Sequence, residues 1–241
     1  MQKNLFTIGN PKTQKGRKLG YLTAVLHLAP YDASGVGNVC PYASAGCVAA
    51  CLNTAGRGGI FKKGAITNAI QEARKRRTRE FFADRASFVG RLHREIARLL
   101  HYAEARGLKL AVRLNGTSDL RWHKLAPSLF ADYPMVQFYD YTKDSARMHE
   151  NMPTNYHLTF SRSEENEAEA LGVNVRGGNV AFVLTRECFE RVGSPLVERG
   201  YLGAHVDGDA HDLRFLDPKG ALVVLLAKGR AKSDKSGFVL R

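Results

Sequence analysis

Past residue 107 the chain alternates between short apolar runs and polar clusters. Lys109–Leu114 leads into Asn115–Asp119, Met135–Phe138 into Tyr139–Lys143, and Tyr156–Phe160 into Ser161–Glu165. Val180–Leu184 leads into Thr185–Cys188, Gly203–Val206 into Asp207–Asp212, and Leu222–Leu226 into Ala227–Arg230. Runs this short and continuous are what a sheet covered on both faces requires. Helical stretches fit between several of them, at 120–130 (broken at Pro127), 164–171 and 187–192. The pattern therefore predicts βα units and a largely parallel sheet. The expected architecture is α/β, a complete or partial (β/α) TIM-like barrel, with an open sheet as the alternative. In both, chemistry gathers at the carboxyl ends of the strands, where most of the unusual polar residues of this chain fall.

Upstream the periods differ. Residues 1–19 are polar, Lys- and Gly-rich, and read as an extended basic arm. Tyr21–Leu28 is the first strand, ended by Ala29-Pro30. A helix is expected over 62–82, with Ile66, Ala69, Ile70 and Ala73 on its apolar face and Arg74, Lys75, Arg76, Arg77 and Arg79 elsewhere. A second, over 85–106, repeats Phe88, Leu92, Ile96, Leu99, Leu100 and Ala103 at helical spacing, with Asp84 as N-cap and Gly107 as its stop. With no linker or repeat, residues 1–241 read as one domain.

The loop after the first strand holds Cys40, Cys47 and Cys51, spaced C-x6-C-x3-C among small residues. Several thiolates so close in sequence point to an iron–sulfur cluster, here [4Fe–4S]. Zinc is the rival, but its structural loops use tighter cysteine pairs and four protein ligands. The remaining cysteine, Cys188, follows the strand 180–184. Thr185 can cap the next helix and place Cys188 in its first turn, where N–H groups and the helix dipole favour thiolate. Cys188 is then either a fourth ligand or a core residue beside Phe189. Four thiolates close a cluster for electron transfer, structure or sensing. Three leave an iron open to substrate.

Other strand ends carry further candidates. Asn115, Ser118 and Asp119 belong to a Gly-containing turn that either caps a helix or receives an anion, with Arg113, Arg121 and Trp122 around it. Tyr139, Asp140, Tyr141 and Lys143 form the next cluster. Asp119, Asp140 and Lys143 are the candidate catalytic groups. Asn115, Ser118, Asp207 and Asp209 are the candidate cofactor-binding groups. Asp207, Asp209 and Asp212, with His205 and His211, suit Mg²⁺, Mn²⁺, a ribose or an amine, or form a polar turn around Gly208 paired with Arg214 and other basic residues. Walker A, Gly-x-Ser-x-Gly and His-Glu-x-x-His motifs do not occur.

Charge adds a partner class. The net charge is +13 and the pI about 9.8, a balance that favours a nucleotide, another anionic substrate or nucleic acid. Arg74–Arg79 would supply phosphate contacts with steep salt dependence, or a solvated face. Four cysteines in 241 residues do not form a disulfide scaffold. The longest apolar run, 221–227, is too short to span a bilayer, and the N-terminus lacks the apolar core of a secretion signal. A cytoplasmic redox protein or enzyme with no membrane association is expected.

Cys40-Pro-Tyr-Ala-Ser-Ala-Gly-Cys47, Ser118-Asp-Leu-Arg-Trp122, Gln137-Phe-Tyr-Asp-Tyr-Thr-Lys143 and Tyr156-His-Leu-Thr-Phe-Ser161 together resemble the bacteriophage and prophage gene-product-eighty-eight proteins. Asp207-Gly-Asp, Asp212-Leu-Arg214 and Leu226-Ala-Lys-Gly229 extend the likeness to most of the chain. The resemblance implies a viral iron–sulfur protein, placed in the host cytoplasm. A weaker resemblance is to radical SAM enzymes, which also set a three-cysteine loop after the first strand of a (β/α) barrel. Their usual spacing is C-x3-C-x2-C, and no Gly-Gly-Glu follows the second strand here. Both departures count against S-adenosylmethionine as cofactor. The leading expectation is an iron–sulfur protein acting on a nucleotide or nucleic acid. The alternatives are a nucleic-acid-binding protein with a structural metal and a radical SAM-like enzyme.

Overall fold

The computed structural model describes residues 4–191 and 193–241. The first three residues of the expected arm and Val192, the last of the expected 187–192 helix, lie outside them. Among the described residues nine strands form one sheet: β1 (Phe6–Thr7), β2 (Tyr21–Leu26), β3 (Lys109–Arg113), β4 (Gln137–Thr142), β5 (Tyr156–Ser161), β6 (Val180–Leu184), β7 (His205–Asp207), β8 (Leu222–Leu226) and β9 (Val239–Leu240). The order is β1-β2-β3-β4-β5-β6-β8-β7, with β9 added to β6. Only the β1–β2 pairing is antiparallel. Since β8 pairs along all of β6, β9 takes the other edge at Val183 and Leu184, beyond the point where β5 pairs.

Alternation along the strands gives the sheet two different faces. Leu22, Ala24 and Leu26 of β2, Leu110 and Val112 of β3, and Phe138 of β4 pack under α3 (Ala69–Ala83), α4 (Arg85–Glu104), α5 (Trp122–Leu125) and α6 (Ser128–Ala131). Phe160, Val180, Phe182, Leu184, Leu222 and Val224 continue that layer under α7 (Glu167–Val175), α8 (Arg186–Glu190) and α9 (Gly193–Val197). The opposite face carries Tyr21, Ala111 and Tyr139, which pack against Leu213 and Phe215 from the β7–β8 crossover. The expected parallel βα sheet is therefore present. It is not closed: among the described residues no strand joins β7 to β1 or β2. No helix among the described residues is long and apolar enough to cross a membrane.

Several expectations need correction. The arm is not extended: β1 pairs with β2, and α1 (Pro11–Arg17) follows. Asn10 caps α1 by accepting from the Lys12 and Thr13 N–H groups, and Pro11 sits in its first turn, an arrangement that favours a helix start. The helix expected from residue 62 begins at Ala69, and its assumed apolar face is wrong. Ile66 precedes it and is 95% exposed, whereas Arg74, Arg77, Thr78 and Phe81 are buried. Free backbone groups decide that face. Arg77 Nε donates to the His27 carbonyl at 2.9 Å, Arg79 Nε to the Ser34 carbonyl at 3.2 Å, and Thr78 Oγ accepts from the Ala29 N–H at 2.8 Å. Two cations of the Arg74–Arg79 run, Arg74 and Arg77, are thus turned inward, while Lys75 and Arg76 are half-buried and Arg79 is exposed. α4 matches its expectation, with Asp84 accepting from the Ser87 N–H and Gly107 at φ +64°.

This register is testable by chemical denaturation. Ile66→Asp should change stability by no more than about 0.5 kcal/mol. Phe81→Ala should cost about 3–5 kcal/mol. The reverse ranking would restore the register read from hydrophobicity.

Candidate functional site

A cavity of about 210 Å³ opens at the carboxyl ends of β3, β4, β5, β6 and β8. Cys40, Cys47 and Cys51 all line it, together with Arg113, residues 115–119 and 141–143, Ser161, Leu225 and Lys228, and with Lys12 from α1.

Two locks hold the cysteine loop there. Ser44 starts the short α2 (Ala45–Ala49), its Oγ accepting from the Cys47 N–H at 3.1 Å. Glu164, just past β5, accepts from the Gly46 N–H at 2.6 Å and the Ser44 hydroxyl at 2.9 Å. A Cβ on Gly46 would lie 2.6 Å from Glu164 Oε1, so only glycine allows this approach. From the other side, Arg74 donates to Asn53 Oδ1 at 2.5 Å, and the Asn53 N–H donates to Cys51 Sγ at 3.5 Å.

Burial dominates two of the thiols, Cys40 and Cys51. It pushes Cys40 up to about 12, against a backbone hydrogen bond to Tyr31. It also raises Cys51, with Arg74 and Lys143 pulling the other way. The thiols are near enough for each ionised neighbour to raise the cost of ionising Cys40 and Cys51. Among the described residues no three His, Cys, Asp or Glu side chains stand as a group that could hold a metal ion. The donor set still suits thiophilic metal chemistry: three thiols, with an N–H aimed at the Cys51 sulfur and two cations that favour its thiolate.

Cys188 is not brought to the other three. Thr185 caps α8 through the Cys188 N–H at 3.3 Å, as the sequence implies. Its side chain is fully buried in the core under β6 and β8, and it does not line the cavity.

The strand-end wall divides the other candidates. β4 continues to Thr142, so Asp140 points to the helix-covered face, away from Tyr139 and Tyr141. There it accepts from the Asn115 N–H at 2.7 Å and the Tyr156 hydroxyl at 2.8 Å, and burial pushes it up to about 7. Asp140 is outside the cavity. Asn115 and Ser118 line it but are engaged: Asn115 Oδ1 accepts from the Ser118 hydroxyl, the Leu120 N–H and the Trp122 indole N–H. Asp119 accepts from Arg147 Nη1 and the Lys143 N–H, both at 2.8 Å. Burial nonetheless leaves Asp119 above the usual carboxylate range. The Lys143 ammonium donates to Ser161 Oγ at 3.0 Å.

The acidic patch serves as a set of counter-charges. Asp207 is exposed on β7 and outside the cavity. Asp209 lines it and pairs with Lys228. Asp212 pairs with Lys12 at 3.2 Å and Arg113 at 3.3 Å and accepts from the Tyr139 hydroxyl at 3.0 Å. Burial opposes its ionisation, yet Lys12 and Arg113 hold it well below the ordinary carboxylate range. Arg214 turns instead to Asp217 and His211.

Residues 3–241 match the model of the family described as Gene product 88. The chain belongs to the Gene product 88 family. No curated protein and no solved structure matches it. In this Gene product 88 chain, sequence reasoning did not single out Lys12, Arg147, Glu164 or Lys228 for the site. Asn10-Pro11 signals the helix that carries Lys12. Nothing local marks the other three, whose partners lie 28, 118 and 19 positions away.

Asp212→Asn should cost about 3–5 kcal/mol near neutral pH, because it leaves buried Arg113 without its counter-charge. The wild-type contribution exists above the unfolded carboxyl pKa of about 3.9 and is lost as pH falls toward the lower folded value. Urea denaturation over about pH 2–7 should therefore show a shallower acid slope in the variant. Superimposable slopes would contradict the pairing.

Proposed function

We propose that the cavity binds a [4Fe–4S] cluster through Cys40, Cys47 and Cys51, leaving one iron without a protein thiolate. The observation that carries this reading is that three thiols of one short loop line a single cavity at the strand ends. The Asn53 N–H at Cys51 Sγ and the nearby Arg74 and Lys143 charges support it, since N–H donors and cations favour sulfur-bound negative charge. Zinc in a closed structural site needs four protein ligands, and the fourth thiol, Cys188, sits in the core.

An open iron facing polar groups favours an enzyme over a closed electron carrier. The cavity of about 210 Å³ is smaller than the roughly 300–1,000 Å³ of common ligand sites, so it would admit the end of a nucleotide rather than all of it. The nucleic-acid-binding alternative keeps only part of its surface, because Arg74 and Arg77 are buried while Lys75, Arg76 and Arg79 are not. The open iron is shared with radical SAM enzymes, but the loop spacing and missing Gly-Gly-Glu keep S-adenosylmethionine out of the proposal.

Anaerobic reconstitution should give a brown protein holding iron and acid-labile sulfide in equal amounts. Cys40→Ala, Cys47→Ala or Cys51→Ala should each abolish it, and Cys188→Ala should leave it intact. A colourless protein that retains zinc, or loss of the cluster in Cys188→Ala alone, would overturn the reading.

A further inference from the structure

The cavity wall holds more positive charge than the chain neutralises. Its cations are Lys12, Arg113, Lys143 and Lys228. Asp212 answers Arg113 and Lys12, and Asp209 answers Lys228 and Lys12, so two carboxylates serve three cations. Asp119, the other lining carboxylate, is held by Arg147. Lys143 makes no salt bridge among the described residues: its ammonium donates to the Ser161 hydroxyl, lies 5.4 Å from the Phe238 ring, and acts on Asp119 and Cys51 through space without pairing with either.

A second observation is independent of this charge count. Arg113 Nε is buried with no acceptor among the described residues, although Nη1 of the same guanidinium reaches Asp212. A buried donor without a partner is costly, and an acceptor supplied by a ligand removes that cost. Of the wall's other polar groups, Asn115, Ser118 and Thr117 are bonded within the chain, while the Tyr141 hydroxyl is buried with no partner among the described residues and is a further donor for such an acceptor.

We propose that Lys143 and Arg113 form an oxyanion subsite for the carboxylate or phosphate end of a small molecule, placed across from the three thiols. A guanidinium edge and an ammonium are the donors that such an anion needs. Cationic ligands are disfavoured, because Asp209 and Asp212 are already committed to lysine and arginine. The subsite deepens the reading above and rests on it for the cavity being a ligand site.

Calorimetric titration at fixed ionic strength tests it, before and after cluster assembly, with acetate, inorganic phosphate and tetramethylammonium as probes. Acetate or phosphate should bind saturably, the tighter of the two naming the ligand class, and tetramethylammonium should not bind. Lys143→Met should weaken the anion at least about tenfold, and Lys143→Arg, which keeps the charge, should restore most of the affinity. Absence of binding by either anion, or equal affinity in Lys143→Met, would overturn the subsite. A cluster that assembles in a chain binding neither anion would sink this inference alone. Anion binding that depends on Lys143 in a chain taking up no iron would support the subsite and remove the iron–sulfur reading.

Discussion

One buried carboxylate, Asp212, ties α1 and the β7–β8 crossover to the paired strands β3 and β4. It meets Lys12 on α1, Arg113 at the end of β3 and the Tyr139 hydroxyl on β4. The β7–β8 crossover that carries it lies over the face opposite the helices, with Phe215 edge-on to Tyr21 and Tyr139. An open sheet has no backbone reason to hold its far crossover against its first strands, so these side chains supply it. Burial of the carboxyl works against the arrangement, and two cations outweigh it. The same pairing fixes Arg113 and Lys12 at the cavity rim, which links the stability of the fold to the charge of the site.

The cysteine loop depends on a different set of contacts. Its small residues allow Glu164 to approach the α2 backbone, and Arg74 and Arg77 bind carbonyl or amide oxygens at Asn53 and His27. Burying two arginines in one helix is costly unless their donors find acceptors, and the loops flanking the cysteines accept from Arg74 Nη1 and Arg77 Nε. α3 therefore acts as a clamp on the loops around the site. Of its cationic sequence, Arg74 and Arg77 serve these loops, and Arg79 remains at the surface.

Much of the fold was legible because parallel strands leave continuous apolar runs. The runs at 109–114, 156–160, 180–184 and 222–226 became β3, β5, β6 and β8 within a residue or so. The two-residue strands β1 and β9 are too short to carry a period. The run at Met135–Phe138 was cut early because β4 continues through polar residues. That error matters for function, since a strand through Thr142 separates Asp140 from Tyr139 and Tyr141. The site was half legible. Cysteine spacing marked the loop, and the structure gathers Cys40, Cys47 and Cys51 at one cavity. A local cap correctly placed Cys188 in the first turn of a helix, but a cap does not say which core that helix covers. Long-range partners such as Arg147 and Glu164 leave no local trace.

Taken together, a parallel sheet aligns strand ends, a clamped loop brings three thiols over them, and cations outnumber carboxylates between. The proposed function requires those three sulfurs to share one cluster. Anomalous diffraction at the iron absorption edge, from crystals grown without oxygen, tests this most directly. It should show compact iron density contacted by Sγ of Cys40, Cys47 and Cys51, with no density at Cys188. Iron at Cys188, or zinc density with no iron at the loop, would contradict it.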